Sequence, residues 1–181
     1  MNSKDYYQQK IYLAAISKKN EIIGKTERWQ AHQEAILHLG YTVILTYKHQ
    51  FILQQRKHIV FDQYYDLSFS SHQIYKKNKL QTNTQAITEG LFREWNLIPT
   101  DLKKPLNKLG EIYYKAKDPT SIFWEHEIDI IYQAEIKNLP NPNFEYCYGY
   151  KLINKSDINS ILAKYKITPW VYIMLKNNLI K

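Results

Sequence analysis

Three carboxylates stand two residues apart in Phe123-Trp124-Glu125-His126-Glu127-Ile128-Asp129-Ile130-Ile131, a stretch otherwise rich in aromatic and β-branched side chains and free of Gly and Pro. Such a composition predicts a strand, in which side chains alternate faces. Glu125, Glu127 and Asp129 then share one face, while Trp124, His126, Ile128 and Ile130 share the other. Neighbouring carboxylates on that face sit about 7 Å apart. Burying a row of acids is costly unless it holds a cation or shares protons, so cation binding and proton transfer are the chemistries to consider.

Three histidines could complete such a site: His32, His38 and His72. Three imidazoles with two carboxylates suit octahedral Mn²⁺ or Mg²⁺, or Zn²⁺ in expanded coordination. His32 and His38 are six apart, which on one helix would point them to different sides. They converge only if a turn separates them, with His38 at the mouth of a strand beginning near Leu39. Spacing leaves open whether the three meet.

The elements that must position these residues are readable in outline. Ile11–Ile16 is a short apolar run that predicts a buried strand, with a polar turn over Ser17–Asn20 and a turn at Gly24. Tyr41–Tyr47 and Phe51–Arg56 flank Lys48-His49-Gln50 and predict a hairpin. Lys76–Asn83 reads as a polar loop. Thr84 is placed to cap a helix with Ile87, Leu91 and Trp95 on one face and Asn96 as its stop, and Gly90 inside it costs about 1 kcal/mol relative to Ala. Gly110–Lys117 and Ile122–Ile131 read as strands joined at Asp118-Pro119-Thr120. Phe144–Ile153 follows as a strand. Two helices close the pattern, one capped by Ser156 with Ile158, Ile161, Leu162 and Tyr165 on a face, the other opened by Thr168-Pro169 and carrying Trp170, Ile173 and Met174. Strands, one central helix, more strands and two helices make a single α+β domain of the α/β/α type over residues 1–181.

Composition narrows the function. At 181 residues and 44% hydrophobic, with 14% aromatic residues, the chain can fold as one domain with a real core. The formal charge of +8 is spread over the chain with no block of five like charges, which disfavours a nucleic-acid groove and leaves an anionic small molecule. A single cysteine, Cys147, excludes an internal disulfide and a Cys-rich metal cluster, and fits a reducing, cytoplasmic setting. No apolar run approaches 18 residues, so a soluble protein with no membrane insertion is expected.

Several segments, in order, carry a family resemblance. Thr26-Glu27-Arg28-Trp29-Gln30-Ala31-His32 with Leu37-His38 resembles the first metal-binding motif of type I isopentenyl-diphosphate isomerases, which have the Nudix fold. Leu53-Gln54-Gln55-Arg56 is similar to that family's "LLQQR" strand, and Ser70-Ser71-His72-Gln73 to its "Cys-Gly/Ser-His-Pro" motif. Tyr114-Lys115-Ala116-Lys117-Asp118-Pro119, followed by Glu125-His126-Glu127-Ile128-Asp129, is similar to its "Tyr-x-Ala-x-Asp … Glu-Asn-Glu-Ile/Val-Asp" block. Thr168-Pro169-Trp170 resembles its "Ser-Pro-Trp". Each match is short; together they span roughly residues 10 to 175 in the family's order.

The resemblance implies a Nudix-type mixed sheet sandwiched by helices and a prenyl diphosphate as the small-molecule partner, bound by a monomer or homodimer. It implies that His32, His38, His72, Glu125 and Glu127 hold one divalent metal, Mn, Mg or Zn, and that Glu94 helps hold a Mg²⁺ on the substrate diphosphate. Arg28, Arg56 and Lys57 would meet diphosphate oxygens. Glu127 and Tyr114 would protonate one face of the alkene, and Trp170 would offer its π face to the carbocation. Two departures matter. Ser70 stands where the family has its catalytic cysteine, and an isolated Ser hydroxyl ionises far less readily than a thiol. The helix arginine expected at the diphosphate is Gly90, and in Glu89-Gly90-Leu91-Phe92-Arg93-Glu94-Trp95-Asn96-Leu97 the "REUxEExGU" box keeps only Glu94 as an acidic ligand, which disfavours pyrophosphohydrolysis. The expected activity is therefore isopentenyl/dimethylallyl diphosphate interconversion, or a related carbocation rearrangement or cyclisation. A catalytically impaired diphosphate-binding or regulatory homologue is the alternative.

Overall fold

The structure, a computed structural model, describes residues 3–180, with the side chains of Ile161 and Leu162 outside that description. The expected helix face at those two positions is thus represented only by Ile158 and Tyr165. A short helix α1 (Ser3–Gln8) precedes strand β1 (Tyr12–Ile16), which pairs antiparallel with β2 (Ile22–Glu27). Gly24 lies within β2, opposite Ala15, rather than at a turn. Helix α2 (Arg28–Gln33) is opened by the Glu27 carboxylate, which accepts from the Trp29 and Gln30 backbone N–H groups.

Strand β3 (His38–Tyr47) is the spine of the sheet. It meets β4 (Gln50–Arg56) in the expected hairpin, whose tip residues Lys48 and His49 both have positive φ, as a turn matched to strand twist requires. The aromatic stretch before His72 supplies two short strands that sequence reading left unassigned, β5 (Tyr65–Leu67) against β4 and β6 (Phe69–Ser71) against β3. The supposed polar loop is a small hairpin of β7 (Tyr75–Lys76) and β8 (Lys79–Leu80).

Helix α3 (Asn83–Trp95) is capped by Thr82 rather than Thr84, in a reciprocal box with Gln85, and Asn96 ends it in the left-handed conformation. Strand β9 (Asn107–Lys117) pairs antiparallel with β10 (Trp124–Glu135). β10 in turn runs parallel to β3, with Glu127 beside His38 and Asp129 beside Gly40. β11 (Cys147–Ile153) flanks β4. Helices α4 (Ile158–Lys164), preceded by a 3-10 turn over Lys155–Asp157, and α5 (Pro169–Lys176) complete the chain.

The sheet separates two cores. α3 places Ile87, Leu91 and Trp95 on Tyr41, Val43, Leu45 and Phe69. On the opposite face, Trp170, Val171 and Met174 of α5 pack on Ile44, Ile112 and Ile131. The result is the mixed sheet between helices that the sequence predicts. At Gly90 α3 lies close against the sheet: a Cβ there would stand 2.6 Å from the Tyr41 hydroxyl and 2.7 Å from Phe69. No helix among the described residues is long and apolar enough to cross a membrane.

Candidate active site and metal centre

The parallel pairing of β10 with β3 brings Glu127 to His38 across a large sequence gap. α2 carries His32 toward the same point, and the chain leaving β6 delivers His72. Ligand atoms of His32, His38, His72 and Glu125 all lie within 4.8 Å of one another. His38 and His72 present their Nε2 atoms 3.3 Å apart, and both face Glu127 Oε1, at 3.4 and 2.8 Å respectively. His32 Nε2 lies 3.2 Å from Glu125 Oε2. The Glu127 carboxylate has room because Gly40 faces it: a Cβ on Gly40 would come within 2.6 Å of it.

Donor chemistry tests whether a metal fits. His32 Nδ1 lies 2.7 Å from the Arg28 carbonyl, and His38 Nδ1 lies 2.7 Å from the Ile36 carbonyl. A carbonyl only accepts, so each Nδ1 carries hydrogen and each neutral ring turns an Nε2 lone pair inward. Buried imidazole lone pairs and two carboxylates crowd one locus, and Glu125 Oε2 has no hydrogen-bond partner. That set repels itself without a cation and suits a divalent ion.

The cluster forms one wall of a pocket lined also by Arg28, Arg56, Arg93, Glu94, Ser70, Tyr114 and Trp170. Tyr114 donates its hydroxyl to Glu127 Oε2. Burial and the Glu127 charge hold the Tyr114 phenol well above its usual range, so it keeps its proton. Burial opposes ionisation of Glu127, but the His38 and His72 rings beside it outweigh burial and keep this carboxyl below the usual range. Trp170 is 1% exposed, with its ring 5.6 Å from that of Tyr114.

The arginines fit an anion. Arg28 Nη2 donates to the carbonyls of Tyr6 and Tyr7 at 3.0 Å, while its Nε and Nη1 are buried without partners. Arg56 is paired with Asp66 at 3.0 Å and donates to the Val60 carbonyl, leaving Nε unpartnered. Arg93 was not singled out from sequence. It reaches the pocket three residues after Gly90, close to one helical turn, and its Nη2 meets Ser71 Oγ at 3.1 Å and Glu94 Oε1 at 2.8 Å. Burial opposes ionisation of Glu94, but His58 and Arg93 hold its carboxyl down to about 2, and its Oε2 lacks a hydrogen-bond partner. Lys57 is the residue the structure does not bring in: it follows Arg56 on the opposite side of the strand end and donates to the Phe144 carbonyl at 3.1 Å, outside the pocket lining.

A hydrogen-bonded row runs from β10 through β3 and β6 to β5. Asp129 Oδ2 lies 2.7 Å from Thr42 Oγ1, Thr42 Oγ1 lies 2.8 Å from Ser70 Oγ, and Ser70 donates to Asp66 Oδ2 at 2.8 Å. Three links need three protons, and two hydroxyls supply two. Burial and the Glu127 charge push the Asp129 carboxyl well above its usual range, so a proton there completes the set. Cys147 takes no part. It sits on β11 outside the pocket lining, and burial pushes its thiol up to about 11.

Comparison with known proteins agrees with the fold. No family model matches the chain. Isopentenyl-diphosphate Delta-isomerase 1 of Bos taurus is 31% identical over 169 residues, covering 82% of this chain and 71% of the bovine one. DR0079 of Deinococcus radiodurans superposes with a TM-score of 0.70 at 13% identity, covering 92% of this chain and 98% of its own. The NUDIX domain of Shewanella oneidensis NrtR, solved with ADP ribose, gives a TM-score of 0.50 at 14% identity over 67% of this chain and 75% of its own. The MutT protein of Methanosarcina mazei gives 0.57 at 9% identity over 78% of this chain and 91% of its own. The chain thus belongs to the Nudix superfamily, as an enzyme homologous to isopentenyl-diphosphate Delta-isomerase 1.

Proposed function

We propose that the protein interconverts isopentenyl and dimethylallyl diphosphates in the cytoplasm. The observation that carries this reading is one pocket in which three histidines and two carboxylates converge beside Tyr114 and Trp170, with unpartnered arginine N–H groups also lining it. A divalent ion held by His32, His38, His72, Glu125 and Glu127 would supply the positive charge this cluster lacks and raise the acidity of groups beside it. Arg28, Arg56 and Arg93 bind the diphosphate through charge-assisted hydrogen bonds, and Glu94 would help hold a Mg²⁺ that neutralises its charge. The hydrogen-bonded Tyr114–Glu127 pair delivers a proton to the terminal methylene of the alkene, whose π electrons form the new C–H bond. The tertiary cation left behind meets the Trp170 ring, an attraction of about 2 kcal/mol in a dry site. Loss of a proton from the adjacent CH₂ then returns a C–H electron pair to form the trisubstituted alkene.

Helix α3 argues against pyrophosphohydrolysis. Its acids among the described residues are Glu89, exposed and paired with Lys76 at 2.6 Å, and Glu94. Incubation with isopentenyl diphosphate and Mg²⁺, followed by proton and phosphorus NMR, tests the choice. Appearance of the two allylic methyl signals without phosphate release is expected. Released phosphate would establish hydrolysis instead, and unchanged substrate bound to the protein would indicate a non-catalytic diphosphate-binding homologue.

A further inference from the structure

Ser70 lines the pocket where the resembling family has its catalytic cysteine, and a lone hydroxyl is a poor base. The hydroxyl is not alone. It donates to Asp66 Oδ2 at 2.8 Å while lying 2.8 Å from Thr42 Oγ1, so its hydrogen points at Asp66 and its free lone pair is left for the pocket it lines. Asp66 is fully buried in the middle of β5, and its neighbours are donors. Its Oδ1 faces the Leu67 and Trp170 N–H groups at 2.8 Å each, and its Oδ2 faces Arg56 at 3.0 Å; all three can only donate. The same carboxylate therefore fixes the Trp170 ring that would face the cation and the Ser70 hydroxyl beside it.

We infer that Ser70 and Asp66 form a proton relay that serves as the base of the reaction proposed above, on whose correctness this inference rests. In the step, the C–H bond next to the cationic carbon breaks and its electron pair becomes the new C=C bond. The released proton bonds to Ser70 Oγ as the original Ser70 proton passes to Asp66 Oδ2, leaving a neutral hydroxyl and a neutral carboxyl. Ser70 never has to ionise. A C–H bond beside a tertiary cation is acidic enough for a carboxylate already engaged by Arg56 to receive its proton. Thr42 is a positioning residue, holding the Ser70 oxygen from the side away from Asp66.

The test uses the full-length metal-loaded protein with isopentenyl diphosphate in D₂O. The unaltered protein should form dimethylallyl diphosphate and put deuterium into the terminal carbons of recovered substrate. Ser70→Ala and Asp66→Asn should each lower product formation about 10²- to 10⁴-fold, while deuterium still enters recovered isopentenyl diphosphate through the intact Tyr114–Glu127 side. Combining the two should cost no more than either alone. Ser70→Cys in the Asp66→Asn background should restore turnover, because a thiol does not need Asp66. Ser70→Ala with undiminished product formation would overturn the relay, as would parallel loss of product and exchange, or failure of the Ser70→Cys rescue. An unaltered protein that neither exchanges nor isomerises would instead overturn the underlying reaction.

Discussion

The two polar walls of the pocket solve the problem of burial in opposite ways. The wall built from α2, β3, β10 and His72 gathers three imidazoles and two carboxylates with no lysine or arginine among them. The wall built from β5 and β6 balances itself, since Asp66 is matched by Arg56, Trp170, Leu67 and Ser70. Buried charge is tolerated only when paired or neutralised. The first wall is thus completed by something from outside, and the second already has what it needs. The first has the donor set that suits a metal; the second is where the inferred proton relay would run.

The sharpest way to break this contrast is to remove the metal. Treatment with a chelator should abolish turnover, and added Mg²⁺, Mn²⁺ or Zn²⁺ should restore it, while the Asp66 wall stays folded by near-UV circular dichroism. His38→Ala should weaken metal binding by at least about 100-fold, measured by equilibrium dialysis. Next in size, Glu127→Gln keeps the shape of the acid and removes its proton chemistry, and should lower kcat roughly 10²- to 10⁴-fold. Arg93→Gln and Arg28→Gln each remove one charged hydrogen-bonding group, worth about 1.5–3 kcal/mol, and should raise KM by roughly 10-fold or more with kcat less affected. Gly90→Ala forces a Cβ against Tyr41 and Phe69 and should cost about 1–3 kcal/mol in urea denaturation without changing metal affinity. The smallest expected effect concerns Cys147. With its thiol pushed up to about 11 by burial, iodoacetamide at pH 7 should neither label it in the folded protein nor reduce turnover. Rapid labelling with loss of activity would move the base from Ser70 to Cys147.

Much of the metal wall was legible because strand alternation alone puts Glu125 and Glu127 on one face. The parallel register of β10 on β3, which makes His38 the neighbour of Glu127, was not legible, since strands far apart in sequence carry no local mark of their pairing. The family resemblance supplied that link. The relay wall was harder to read. Asp66 sits in a stretch whose strands are three residues long, too short for a periodic signal, and its importance lies in partners from β4 and α5. Arg93 was not legible because the resemblance aligns the helix arginine with Gly90, although a residue three further on shares that helix face. Lys57 came in with Arg56 through the resemblance, from a position just past the end of β4. Its backbone position turns it toward Phe144 rather than into the pocket. Similarly, Thr82 beat Thr84 as the cap because only Thr82 has Gln85 three residues later to close the box.

The central claim is that both walls act on one prenyl diphosphate, adding a proton from one side and removing one from the other. The most direct test is proton and deuterium NMR of isopentenyl diphosphate incubated with the Mg²⁺-loaded protein in D₂O. The account predicts deuterium in the methyl groups together with new dimethylallyl signals, both lost on chelation. Protein that binds metal and the diphosphate yet leaves every carbon-bound hydrogen unexchanged would contradict it.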